Sequence, residues 1–154
     1  MTTMTETSVT TQVYRVFIKA TPEAIWEAIT RPEFTARYFH GSLVESTRLQ
    51  GASYQGYSPD RSQLWVDGVV VEVDPPRKLQ HTWRSLYEPE SAAEPPSRVT
   101  WEIEPQEGSF SLLTVVHDEL EDSPKTAASV SGVGWMLVLS GLKTLLETGK
   151  PLAG

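Results

Sequence analysis

Gly134-Trp135-Met136-Leu137-Val138-Leu139-Ser140-Gly141-Leu142-Lys143-Thr144-Leu145-Leu146-Glu147-Thr148 reads as one amphipathic helix. At about 100° per residue, Trp135, Val138, Leu139, Leu142, Leu145 and Leu146 gather within an arc of roughly 120°. Ser140, Lys143, Thr144, Glu147 and Thr148 fall on the opposite side. Gly149 suits a left-handed cap and Pro151 bars continuation, so the helix ends there. So one-sided a helix requires a broad apolar surface to lie on, and most of the chain before it is strand-like.

Residues 13–19 alternate and are rich in β-branched and aromatic side chains, which predicts a first strand. Thr21 as N-cap, Pro22 at the first helical position and the acids Glu23 and Glu27 predict a helix over 22–29. Arg31-Pro32-Glu33 breaks it and restarts a short helix carrying Phe34, Tyr38 and Phe39. Beyond it, Gly51, Gly56, Ser58-Pro59-Asp60, Asp74-Pro75-Pro76 and Gln106-Glu107-Gly108 punctuate strands expected near 43–49, 52–58, 63–73, 78–85, 98–105 and 109–118. Turns this short favour an antiparallel meander. The acidic, proline-rich stretch 87–96 is too long for a tight hairpin and predicts a mobile loop over one end of the sheet. A helix is expected to start near Lys125, weakened or bent at Gly132 and Gly134. No repeat or composition shift divides the chain. The organisation expected is a disordered threonine-rich tail, 1–12, followed by one domain, 13–150.

The fold class is α+β: a curved antiparallel sheet of six to seven strands wrapped around a long C-terminal helix, with two short helices after the first strand. That is the helix-grip layout. Ala20-Thr21-Pro22-Glu23-Ala24-Ile25-Trp26-Glu27-Ala28-Ile29-Thr30 resembles the first-helix signature of the SRPBCC (START-like) superfamily. Gly68-Val69-Val70-Val71-Glu72-Val73-Asp74-Pro75-Pro76-Arg77-Lys78-Leu79, followed by Thr82-Trp83, resembles the middle signature of the branch named for homologues of the heat-shock-protein-90 ATPase activator. Residues 134–142 and 145–149 are similar to that branch's closing helix. The resemblance implies a cavity for a lipophilic ligand, as in many relatives, and carries no shared catalytic motif. The chain departs from the branch at Arg48-Leu49-Gln50-Gly51-Ala52, where a basic, double-glycine turn is expected.

Composition narrows the partners. Thirteen Lys+Arg against twenty Asp+Glu give a net charge of −7, which disfavours nucleic acid and anionic membrane. There is no cysteine, which excludes disulfides, thiolate catalysis and cysteine metal sites. The N-terminus has neither the basic start nor the apolar core of a signal peptide, and no apolar run approaches a membrane span. A cytoplasmic protein is the expectation. No metal or other cofactor is expected, because histidine and carboxylate spacings of metal sites are absent.

The candidate site residues are aromatic. Trp65, Trp83, Trp101 and Trp135, with Tyr38 and Phe39, could wall a cavity between sheet and helix, joined by Leu139 from the helix, or could simply fill the core. Alternation puts His81 on the face of Leu79 and Trp83, and His117 on the face of Leu113 and Val115. Each could meet a ligand, act as acid or base, or be a core histidine with its hydrogen bonds satisfied. His40 is expected in a solvated loop. Glu72 lies in a strand, Glu102 and Glu104 read as a solvated face, and Asp67 as turn or bulge chemistry.

Phe110, Leu112 and Val116 occupy the strand face turned away from the closing helix, and Met136 and Leu137 fall outside its apolar arc. The strand face could be covered by the N-terminal tail or by a second copy of the chain, and Met136 and Leu137 by a second copy. The function expected is binding of a small hydrophobic or aromatic molecule. An enzyme of the cyclase, aromatase or hydrolase type in the same cavity and a chaperone-associated interaction module remain as alternatives.

Overall fold

Period-two alternation makes the central strands one-faced: along Lys78–Ser85 and along most of Ser97–Gln106, buried residues alternate with half-buried ones. In the computed structural model, which describes residues 10–131 and 133–152, such strands build a single sheet. Among the described residues the strands are β1 (Gln12–Ile18), β2 (Leu43–Glu45), β3 (Ser53–Tyr57), β4 (Leu64–Asp74), β5 (Lys78–Ser85), β6 (Ser97–Gln106) and β7 (Phe110–Asp118). All pairings are antiparallel in the order β1-β7-β6-β5-β4-β3-β2. The helices are α1 (Pro22–Thr30), α2 (Pro32–Thr35), α3 (Pro89–Ala92), α4 (Pro124–Val130) and α5 (Val133–Thr148).

Local chemistry accounts for the boundaries. The Thr21 side chain accepts from the Ala24 amide at 3.1 Å, capping α1 with Pro22 behind it. Helix α5 buries Trp135, Val138, Leu139, Leu142 and Leu145 against the sheet and leaves Met136 and Leu137 outside. It ends at Gly149, with φ of 80° and its amide bonded to the Leu145 carbonyl. Gly141 lets the helix approach the chain at Tyr38: a Cβ there would stand 3.1 Å from the Tyr38 Cβ. Gly68 is tighter still, since a Cβ would lie 2.0 Å from the Thr82 carbonyl oxygen across the β4–β5 pair. Asp67 beside it binds Arg84 through two hydrogen bonds of 2.9 and 3.1 Å, a cross-strand ion pair.

Four expectations change. Strand β2 is three residues long, because the chain turns away from 43–49 pairing through Arg48 and Gly51, both at positive φ. The stretch 87–96 is a tied segment: it contains α3, and Ser91 Oγ donates to the carbonyls of Ser85 and Glu88. The C-terminal helix is two helices, with Ser131 extended at the break. Gln12, assigned to the tail, opens β1, is buried and donates to the Ala127 carbonyl; residues 1–9 lie outside the described ones. The stretch Pro124–Thr148 is also apolar enough, at mean hydropathy 1.4 over 18 residues, to cross a membrane by length and composition. The expectation from the sequence overlooked that. Here the apolarity serves the core, since the α5 stripe is buried under the sheet.

Candidate functional site

Two layers of aromatic side chains fill the space between sheet and α5, and their polar atoms are treated differently. In the deep layer, Trp101 on β6 and His81 on β5 are diagonal neighbours across the strand pair, where Leu79 faces Trp101 and His81 faces Val99. An indole N–H can only donate, so Trp101 Nε1 donates to His81 Nε2 at 3.0 Å. The proton of His81 is thereby placed on Nδ1, which donates to the Thr82 carbonyl at 2.9 Å. Tyr54 stacks on this ring at a centroid distance of 3.6 Å.

His117 on β7 repeats the logic. Trp135 Nε1 donates to His117 Nδ1 at 3.1 Å, so Nε2 carries the proton and donates to Ser97 Oγ at 2.7 Å. Ser97 in turn donates to the Trp83 carbonyl, and Trp83 Nε1 donates to Ser85 Oγ at 3.0 Å. Burial drives the imidazoles toward the neutral form, His81 down to about 4 and His117 to about 3, the latter also pushed by nearby His81. Neither ring has a nitrogen free for acid–base work in this arrangement. Among the described residues, every buried side-chain nitrogen and oxygen has a hydrogen-bond partner.

In front of this layer lies a cavity of about 470 Å³. Its apolar wall comes from Phe39 after α2, Trp65 and Val66 on β4, Trp83 on β5, and Trp135 and Val138 on α5. Phe39 and Trp83 stack at 6.1 Å, and Trp135 meets Phe39 edge-on at 6.0 Å. The polar side chains on the wall are His40, Ser42, Tyr87 and Ser129; among the described residues no Lys, Arg, Asp or Glu lines it. Ser42 Oγ is engaged with the Tyr57 carbonyl, while the Tyr87 hydroxyl and Ser129 Oγ bond each other at 2.9 Å.

At one rim of the cavity two segments hold each other. Glu94, beyond α3, accepts from the Lys125 and Thr126 amides and from Thr126 Oγ1, at 2.8, 2.9 and 2.9 Å, and so caps α4. Ser123 Oγ donates to the Pro95 carbonyl at 2.7 Å. These bonds bring Tyr87 and Ser129, 42 residues apart, to the same rim.

Of the nine residues expected at the site, Phe39, Trp65, Trp83 and Trp135 line this cavity. His81, Trp101 and His117 form the layer behind it, and Leu139 is buried in the core. Tyr38 donates to the Ala28 carbonyl at 2.8 Å and lines a separate groove with Leu137, Gly141 and Leu152. His40 is exposed in the loop after α2, as expected, at φ of 55°, and also lines the cavity. Tyr87 and Ser129 carried no signal in the sequence, because their approach depends on how a loop is tied to a helix.

Residues 19–147 match the family model described as Activator of Hsp90 ATPase homolog 1-like protein. The chain belongs to that family. Solved structures agree on the fold. CalU16 from Micromonospora echinospora superposes with a TM-score of 0.68 at 24% identity, covering 90% of this chain and 77% of that one. The Aha1 dimer from Colwellia psychrerythraea gives a TM-score of 0.70 at 18% identity, covering 92% and 99%. PFC0360w, an HSP90 activator from Plasmodium falciparum, gives 0.67 at 19% identity, covering 93% and 99%. At these identities the likeness shows the helix-grip fold alone. No curated protein matches the sequence.

Proposed function

We propose that this member of the family binds a small apolar, aromatic molecule in the cavity between the sheet and α5. The observation that carries the reading is a space of about 470 Å³ walled by Phe39, Trp65, Trp83 and Trp135. Such a volume lies in the range of small-molecule pockets, and a wall of rings with few polar groups suits a ligand that buries most of its surface. The acid–base alternative loses support from the histidines, whose nitrogens are already engaged. Native mass spectrometry of protein purified from its own host tests the proposal, together with tryptophan-fluorescence titration by fluorene. A co-purifying apolar compound, or saturable quenching weakened at least tenfold by Trp65→Ala, supports it. No adduct and no saturable quenching would end it.

A homodimer is the second reading, favoured by one surface. Phe110, Leu112 and Val116 are half-buried, but Val13 and Phe17 of the neighbouring strand are 50% and 53% exposed in the same row. Phe17 meets Phe110 edge-to-face at 5.5 Å. The Colwellia relative was solved as a dimer. Light scattering at micromolar concentration should give a dimer mass that Phe17→Lys converts to a monomer; a monomer mass for the parent chain counts against it.

A further inference from the structure

The rim of the cavity carries a pair of hydroxyls. Trp83 and Trp135 line the cavity, yet both indole N–H groups are turned into the protein, toward Ser85 and His117. Ser42 is committed to a backbone carbonyl. Among the described residues the ring nitrogens of Trp65 and His40, also on the wall, make no hydrogen bond, but the Tyr87 and Ser129 hydroxyls stand together as a bonded pair. Both stand on exposed residues that line the cavity, so they mark where it meets solvent. Each hydroxyl has one hydrogen to donate, and their shared bond uses one of the two. Among the described residues neither makes another side-chain hydrogen bond, so one O–H remains available to an incoming acceptor.

Charge sharpens the choice of acceptor. Among the described residues no cationic Lys or Arg lines the cavity, so a ligand carboxylate or phosphate would be desolvated with no counter-ion. The chain's net charge of −7 opposes an anion further. An uncharged oxygen meets neither penalty. We infer that the ligand is a neutral aromatic molecule carrying a carbonyl or phenolic oxygen at the end that faces the rim, where the Tyr87–Ser129 hydroxyl pair receives it. This rests on the cavity reading above and adds the position and kind of the polar atom.

The pair is redundant by construction. Removing either hydroxyl breaks the shared bond and leaves the other free to donate. Single substitutions therefore reduce recognition only in part, and the double substitution removes it.

The test uses three probes of one skeleton: fluorene, fluorenone and fluorenecarboxylate. Affinities are measured by tryptophan quenching well above the ordinary imidazole range, so that histidine charge plays no part. Fluorenone should bind about three- to tenfold more tightly than fluorene, the worth of one neutral hydrogen bond. Fluorenecarboxylate should bind at least about tenfold more weakly than fluorenone. In Tyr87→Phe/Ser129→Ala, the preference for fluorenone over fluorene should disappear, the two affinities becoming equal. Equal binding of fluorene and fluorenone to the parent chain, or a preference that survives the double substitution, overturns this inference while leaving the cavity reading intact. Tightest binding of the carboxylate likewise overturns it. Binding of none of the three overturns both.

Discussion

Trp101 and Trp65 are both ring-bearing strand residues of one sheet, yet they answer to different constraints. Trp101 is fully enclosed, donates to His81 and has no surface on the cavity. Trp65 is half-buried and forms part of the cavity wall. Around Trp101 each polar atom is matched: His81 to Thr82, His117 to Ser97, Trp135 to His117. At the rim, Tyr87 and Ser129 share one bond and keep a hydrogen in reserve. Matched polar atoms fix a structure; an unmatched one at the edge of an apolar space can recognise a molecule. The two histidines are thus engaged in the core, and the proposed recognition chemistry sits on a loop and a short helix.

The contrast can be broken most forcefully with acid. Both imidazoles are held well below the ordinary histidine value when folded, to about 4 and about 3. The unfolded chain therefore takes up protons first as pH falls. Stability from this source is complete above about pH 6.5 and is lost on acidification toward pH 4. At about 1.4 kcal/mol per tenfold difference in proton affinity, the two rings together should remove on the order of 5 kcal/mol between pH 7 and pH 4.5. Urea midpoints at the two pH values measure it; a flat profile would show that the rings are not held neutral by the core.

Truncating the residue shared by both layers comes next. Trp135→Ala empties core volume and strands His117 Nδ1, and should cost about 4 kcal/mol in chemical denaturation. Trp101→Phe keeps most of the volume but removes the indole that donates to His81 Nε2, for about 1–3 kcal/mol. A loss below that would mean that a water replaces the indole. The smallest effect belongs to the rim: Tyr87→Phe should leave stability within about 0.5 kcal/mol, since the hydroxyl it removes is exposed.

The elements that shape the sheet were readable because their signals are local. Thr21-Pro22 announces the first helix, Gly149 ends the last, and the spacing of Trp135, Val138, Leu139, Leu142 and Leu145 fixes the buried stripe. Phe39, Trp65, Trp83 and Trp135 were expected as aromatic walls, Trp83 from strand alternation and Trp135 from helical spacing, and all four line the cavity. Alternation also sent His81 and His117 inward, but it could not reveal that indoles twenty and eighteen residues away would occupy their nitrogens. Those bonds depend on strand register and on how α5 sits, which are properties of the assembled sheet. The rim was least readable. Tyr87 and Ser129 meet because Glu94 caps α4 across thirty-one residues, and proline-rich acidic sequence gives no hint of that role.

The indole N–H signals of the five tryptophans offer the most direct test of the central claim, that the space in front of the histidine layer is the binding site. Titrating fluorenone into nitrogen-15-labelled protein should move the signals of Trp65, Trp83 and Trp135, which line the cavity, and leave those of Trp26 and Trp101 in place. Shifts concentrated on Trp26 or Trp101, with Trp65 unmoved, would contradict it.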